Sequence, residues 1–414
     1  MKEKIIYLIL ALVLLFLSFT AGAQQVLEEY KVTAAGNNPG LQALFKEYLA
    51  ALERVPQVKA LPDPQLAFAY FIRPVETREG PQLARLSLTQ MFPWFGSLKA
   101  EAHSAALKAK AAYESFEDHK ARLYYDVSAA YYELYFLKQS LRITRENINI
   151  LRSFRDLALS KLEAGLVTGV DELRIEMEVA DLENRLALLR DRYQAQQVAF
   201  NNLLNRDPAL TVTIPDTLWK EPNMVPSKAA WIDSIRFNNH RLIRLDHEKA
   251  SLQYQEQAAR KKGAPTITLG IDYIITGRGA GNAYGGKDAL LFPKIGITIP
   301  LFRGKYNAMI KQAVLLQESV DLKKTNQTNL LVTLAEETWK DYLDAERRLE
   351  LYKAQSRRAH QSIRLLLTSY ATQNRNFEEV LRMQRKVLTY DLELEKARTD
   401  RNTVLVFARY LTGR

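Results

Sequence analysis

Apolar residues recur at alternating steps of four and three along one stretch of the chain, at positions 123, 127, 130, 134, 137, 141, 144, 148, 151, 155, 158 and 162. Only Thr144 and Arg155 interrupt the apolar series. The same register returns 208 residues later, from Leu331 to Tyr370, where only Thr338 and Ser356 interrupt it. A following stretch repeats at the same offset: Ile175, Val179, Leu182, Leu186, Leu189, Tyr193, Gln196, Phe200 and Leu203 map onto Met383, Val387, Tyr390, Leu394, Ala397, Arg401, Val404, Ala408 and Leu411. An apolar repeat of 3.5 residues sustained over several heptads packs long helices as coiled coils. The chain therefore encodes the same helical hairpin twice, a duplicated architecture.

Around each hairpin the period changes. Asn38-Pro39-Gly40 opens a short helix to about Val55, and Leu61-Pro-Asp-Pro64 breaks it. From Gln65 to Val75 the apolar positions alternate, with Leu66, Phe68 and Tyr70 on one face. From Leu83 to Phe92, Leu86 and Leu88 oppose Arg85, Ser87 and Thr89. These two runs, joined at Thr77–Gly80, predict a β-hairpin. Gly96 ends it, and a helix without proline or glycine runs from about Ser97 to Ala164, on the order of 100 Å long. The second copy has the same order. A helix from about Ser227 to Lys262 precedes a strand at Thr266–Ile275, with Ile267, Leu269, Ile271 and Tyr273 on one face. A glycine-rich loop spans 277–287. A return strand from Leu290 to Phe302 carries Ile295, Ile297 and Ile299, and after Gly304 a helix runs to about Thr372. Residues 205–227, with four prolines, form a connector.

Strands of about ten residues are the length that crosses a bilayer as β-structure. Four cannot close a barrel, and an open edge does not persist in lipid, so strands in a membrane must be pooled by several chains. Phe92, Trp94, Phe95, Phe292 and Phe302 at the strand ends fit an interfacial girdle. The pattern alone equally admits a soluble sheet and a solvated coiled coil without a lumen.

The ends of the chain weigh toward export. Lys2 and Lys4, the apolar run Ile5–Phe19 and Ala21-Gly22-Ala23 predict a signal peptide over residues 1–23. No cysteine is present, so disulfides, a lipid anchor and thiol chemistry are excluded. The formal charge is +11, spread along the helices without a basic block, and with export this excludes nucleic acid as a partner. The histidines at 103, 119, 240, 247 and 360 are scattered, so neither a metal site nor a cofactor is expected. Gly281 to Lys287 matches a phosphate-loop spacing, but Asp288 replaces the required Ser or Thr and a strand follows. Asn326-Gln-Thr328 is a glycosylation triplet inside a predicted helix. No triad, paired-carboxylate cleft or HExxH motif appears, so the chain is read as no enzyme.

The order strand–strand–long helix–tip–helix, given twice, together with the tip Ala164-Gly165-Leu166-Val167-Thr168-Gly169-Val170-Asp171 and the second tip Tyr370 to Leu381, resembles the TolC-like outer membrane efflux proteins. The resemblance covers the mature chain and implies its fold: mainly α with a small β part. Duplicated coiled-coil hairpins would form a trimeric α-barrel in the periplasm, and four strands per chain would contribute to a twelve-stranded transmembrane β-barrel in the outer membrane. It divides the chain into residues 1–23, a first repeat at 24–204 with its tip near 165–171, the connector 205–227, and a second repeat at 228–414 with its tip near 373–377. It implies a homotrimer embedded in outer membrane lipid, working with a periplasmic adaptor and, through it, an inner-membrane pump. Gly165, Leu166, Val167, Thr168, Gly169, Asn374 and Asn376 would then be the adaptor-docking tips. Asp171, Tyr370 and Arg375 match the residues that tie neighbouring coils shut. Glu379 matches an acid ring at the aperture, with Glu378 beside it. Arg382 stands where a second acid ring is expected. The implied function is a passive exit duct of a tripartite efflux or type I-like export system. The alternative is a secreted structural or adhesive coiled-coil trimer.

Overall fold

The computed structural model describes residues 24–165, 169–223, 227–278, 286–373 and 377–414. The signal region, Leu166–Thr168, the middle of the 277–287 loop and Asn374–Asn376 lie outside these. Helix α1 covers 24–37 and α2 covers Pro39–Lys59. They are followed by β1 (Gln65–Val75), β2 (Gln82–Phe92), α3 (Ser97–Glu163) and α4 (Val170–Leu203). The second half contains α5 (Lys228–Asn238), α6 (His240–Lys262), β3 (Thr266–Thr276), β4 (Ala289–Thr298), α7 (Arg303–Gln373) and α8 (Phe377–Leu411).

The chain divides into two compact units, each drawing on both halves of the sequence. One contains residues up to 43, 117–239 and 328–414. The other contains 44–116 and 240–327. In the first unit the heptad register does what the pattern demands. Every one of its positions in α3, α4, α7 and α8 is buried or half-buried, none exposed. Toward the tips these helices share one apolar cluster that includes Leu151, Phe154, Ile175, Ile363, Phe377 and Val387. Arg401 occupies a seam position and is 1% exposed. Its guanidinium is satisfied by Glu346 at 2.6 Å, the Glu221 carbonyl at 3.0 Å and Asn223 at 2.5 Å. Two of those partners come from the connector, which is pinned to the bundle. The buried Glu221 carboxylate accepts hydrogen bonds from the Tyr132 hydroxyl (2.7 Å) and the Trp219 indole (2.9 Å) and pairs with Arg409. Burial alone would raise the Glu221 pKa, but these donors outweigh it and hold the group below the ordinary glutamate value.

In the second unit the four strands form a single antiparallel sheet in the order β1-β2-β3-β4. The two predicted hairpins are joined by pairing of β2 with β3, in which Leu86 faces Tyr273 and Phe92 faces Ile267. This register gathers the four apolar rows onto one face: Leu66 opposite Leu88, Phe68 opposite Leu86, Leu269 opposite Ile295 and Ile267 opposite Ile297. That face is bare. Phe68 is 68% exposed, Ile72 92% and Ile295 64%. The other face carries Arg85, Ser87, Thr89, Asp272 and Lys294. Among the described residues, β1 and β4 each have a strand neighbour on one side only.

Several element boundaries differ from the sequence expectation. Residues 24–37 are helical, and Asn38 then caps α2 by accepting from the Leu41 amide at 3.0 Å. Pro56 lies inside α2, where it forfeits only one intrahelical bond near an exposed helix end. The helix expected over 227–262 breaks at Asn239, whose backbone is extended (φ −69°, ψ 121°) and whose side chain donates to the Leu411 carbonyl at 3.0 Å. Strand β4 ends at Thr298, because Pro300 cannot continue a ladder, and Gly304 belongs to the first turn of α7. Asn326 and Thr328 lie within α7. Among the described residues no helix is long and apolar enough to cross a membrane.

Candidate functional site

The two hairpin tips converge at one end of the four-helix cluster. Helix α3 stops where Gly165 takes φ +70°, its amide donating to the Leu162 carbonyl at 2.9 Å. A Cβ at Gly165 would meet nothing within 4 Å, so the positive φ demands glycine here and crowding does not. Gly169 precedes α4 with φ −62°. Asp171 and Glu172 occupy the first turn of α4, and Glu378 and Glu379 that of α8, where acidic groups complement the helix N-terminus.

Of the expected aperture residues, Asp171 and Tyr370 are brought together across the two hairpins. The Asp171 side chain is 15% exposed. Burial pushes its carboxyl above the ordinary aspartate value, and Arg174 only partly offsets this. Tyr370 is fully buried, 4.9 Å from the Phe377 ring, and Phe377 in turn meets Phe154 edge-on at 6.3 Å. Burial, then the nearby Asp171 charge, raise the Tyr370 phenol, so it stays neutral. Its hydroxyl has no hydrogen-bond partner among the described residues. Arg375, the third member of the expected tie, lies outside the described residues, as do Leu166, Val167, Thr168, Asn374 and Asn376. Glu379 and Arg382 are exposed, one turn apart on α8.

Three contacts at the tips were not anticipated. Lys161 donates to the Tyr370 carbonyl at 2.6 Å and sits 4.6 Å from the centre of its ring, tying α3 to the end of α7. Arg174 reaches both Asp171 (3.9 Å) and Glu378 (3.5 Å). Arg385 pairs with Glu178 at 2.6 Å. The last two join α4 to α8. The sequence signal was indirect: Lys161 precedes the seam residue Leu162, Glu178 precedes the seam residue Val179, and Arg385 follows Glu178 at nearly the 208-residue offset.

Elsewhere the titratable side chains form pairs and small networks, such as Arg348 and Lys396 on Asp400. His240 bonds Glu114 at 2.7 Å, and His360 bonds Asp391 at 2.9 Å. No group of three or more metal-ligating side chains occurs among the described residues.

Comparison with known proteins supplies the frame for this geometry. Residues 32–206 match the model of the outer membrane efflux protein family. The matched stretch takes in β1, β2, the first coiled-coil hairpin and its tip, and it places the protein at the outer membrane. The chain is 24% identical over 260 residues to the pyoverdine export outer membrane protein OpmQ of Pseudomonas putida. That match covers 61% of this chain and about half of the relative (53%). In fold, it superposes on the outer-membrane channel OprN with a TM-score of 0.77 at 16% identity, covering 94% of this chain and 90% of that one. The outer membrane protein VceC of Vibrio cholerae gives 0.75 at 15% identity, covering 94% and 96%. The resemblance to TolC-like efflux proteins is thus borne out, and the fold is that of the outer-membrane channels.

Proposed function

We propose that this chain is one protomer of a homotrimeric channel-tunnel that serves as the passive exit duct of a tripartite efflux or type I-like export system. The observation that carries this reading is the sheet. Its apolar face is bare and its edges β1 and β4 are both open. A lipid-facing sheet cannot keep open edges, so three copies close it into twelve strands, with loop 76–80 outside the cell and the helical hairpins in the periplasm. The OpmQ match makes small-molecule export the first cargo class to test.

The two repeats, residues 24–204 and 228–414 joined by 205–227, alternate around the tunnel, and residues 1–23 direct export. The tips dock the hairpin of a periplasmic adaptor, and an inner-membrane pump behind it supplies the energy. The chain itself performs no chemistry. Asp171, Tyr370 and Arg375 hold the aperture, with Arg174, Glu378 and Lys161 bracing them. Exposed ion pairs contribute only ~0–1 kcal/mol each, and that weakness, repeated threefold, suits a latch that a partner releases.

Single-channel recording in planar bilayers tests the reading. The parent should conduct in small steps, and Asp171→Ala/Tyr370→Phe/Arg375→Ser should conduct more. A chain that forms trimers but never conducts is the adhesive alternative.

A further inference from the structure

We infer that the polar face of the sheet is an anion-selective lumen, so that the duct favours anionic solutes such as phosphorylated or carboxylated small molecules. The inference rests on the trimeric duct proposed above, which turns the apolar face to lipid and this face to water.

The paired positions of the polar face carry three charged side chains, Arg85 on β2, Asp272 on β3 and Lys294 on β4, and Arg73 follows on β1 beyond the regular pairing. Asp272 is 2% exposed. Ser87 stands directly opposite it and bonds its carboxylate, and the Lys294 ammonium lies 3.2 Å away. One carboxylate can cancel only one of its two cationic neighbours. Arg85 is held over the Phe71 ring at 6.0 Å, and its Nε is buried without an acceptor among the described residues. Each protomer therefore leaves at least one positive charge on the inner wall, and three protomers leave a ring of at least three.

The mouth beyond this ring is balanced. Arg78, Arg278 and Lys287 are matched by Glu76, Glu79 and Asp288, and residues 279–285 carry no charge. The ring thus lies inside a low-dielectric wall behind a mouth whose sequence carries no net charge, the arrangement in which fixed charges select ions and concentrate counter-ions.

The test uses the full-length protein in planar bilayers, with myo-inositol hexakisphosphate added on the side of loop 76–80. We expect voltage-dependent block, with the half-blocking concentration at least tenfold higher in Arg85→Gln/Lys294→Gln and near the parent's in Arg85→Lys. The chloride-over-potassium permeability ratio should fall at least threefold in the same double variant. Because Lys294→Gln strips buried Asp272 of its partner, Arg85→Gln alone is the second variant. It leaves that pair intact and should still raise the half-blocking concentration at least threefold. Conducting channels whose block and permeability ratio are the same in parent and variants overturn the inference and leave the duct standing. A chain that never conducts overturns both.

Discussion

At the residue scale, Gly165 and Tyr370 separate turn chemistry from function. Gly165 needs a positive φ but has open space where a side chain would go. Asparagine tolerates that backbone, whereas tryptophan adds bulk directed outward. Gly165→Asn should therefore keep export, while Gly165→Trp should lose it with trimers still present in the outer membrane. Equal export by both variants, measured as cargo released from intact cells, would argue against docking at this turn. Tyr370 buries its hydroxyl without a partner among the described residues. Removing an unsatisfied buried group is neutral or stabilising by up to ~1 kcal/mol. Tyr370→Phe should thus leave the melting temperature unchanged or slightly raised, yet increase conductance if the hydroxyl ties a neighbouring coil as proposed. A destabilised variant of unchanged conductance would mean that the hydroxyl serves only the protomer's own core.

At the element scale, the connector clamp makes a pH-dependent contribution. The Glu221 carboxyl is held below its ordinary value of 4.5, so its stabilisation is present above that pH and is lost as pH falls through the lower folded value. Glu221→Gln leaves Arg409 facing an amide and should cost on the order of 2–4 kcal/mol at pH 7. It should also flatten the decline in melting temperature between about pH 5 and 3. Parallel melting curves for parent and variant would remove Glu221 from the account. The clamp was not legible in the sequence, because its partners Tyr132, Glu221, Asn402 and Arg409 are far apart along the chain and only tertiary packing joins them. The coiled-coil seam was legible almost residue by residue, since burying one helix face imposes a period that the sequence must carry. The break at Asn239 was not, because it depends on a side-chain bond to Leu411. The proposed aperture residues were partly placed by the fold. Motif matching brought Asp171 and Tyr370 to one tip, but bracing by Lys161 and Arg174 follows from how the two hairpins pack.

At the scale of the whole molecule, the central claim is that β1 of one protomer meets β4 of the next. The sequence already implied pooling of strands, since four cannot close. It did not reveal that β2 pairs with β3, which leaves one β1 edge and one β4 edge per chain. Antiparallel closure from these edges follows if each copy donates one edge to its neighbour. The natural chain has no cysteine, so introduced pairs act on a clean background. The decisive measurement is oxidative cross-linking in outer membranes of a cysteine at Ala67 combined, one at a time, with cysteines at Lys294, Gly296 and Thr298. The account predicts covalent dimers and a trimer for at least one pairing, and only monomer for Ala67→Cys alone. Monomer for every pairing, or cross-linking by Ala67→Cys alone, would contradict a barrel closed by β1 against β4.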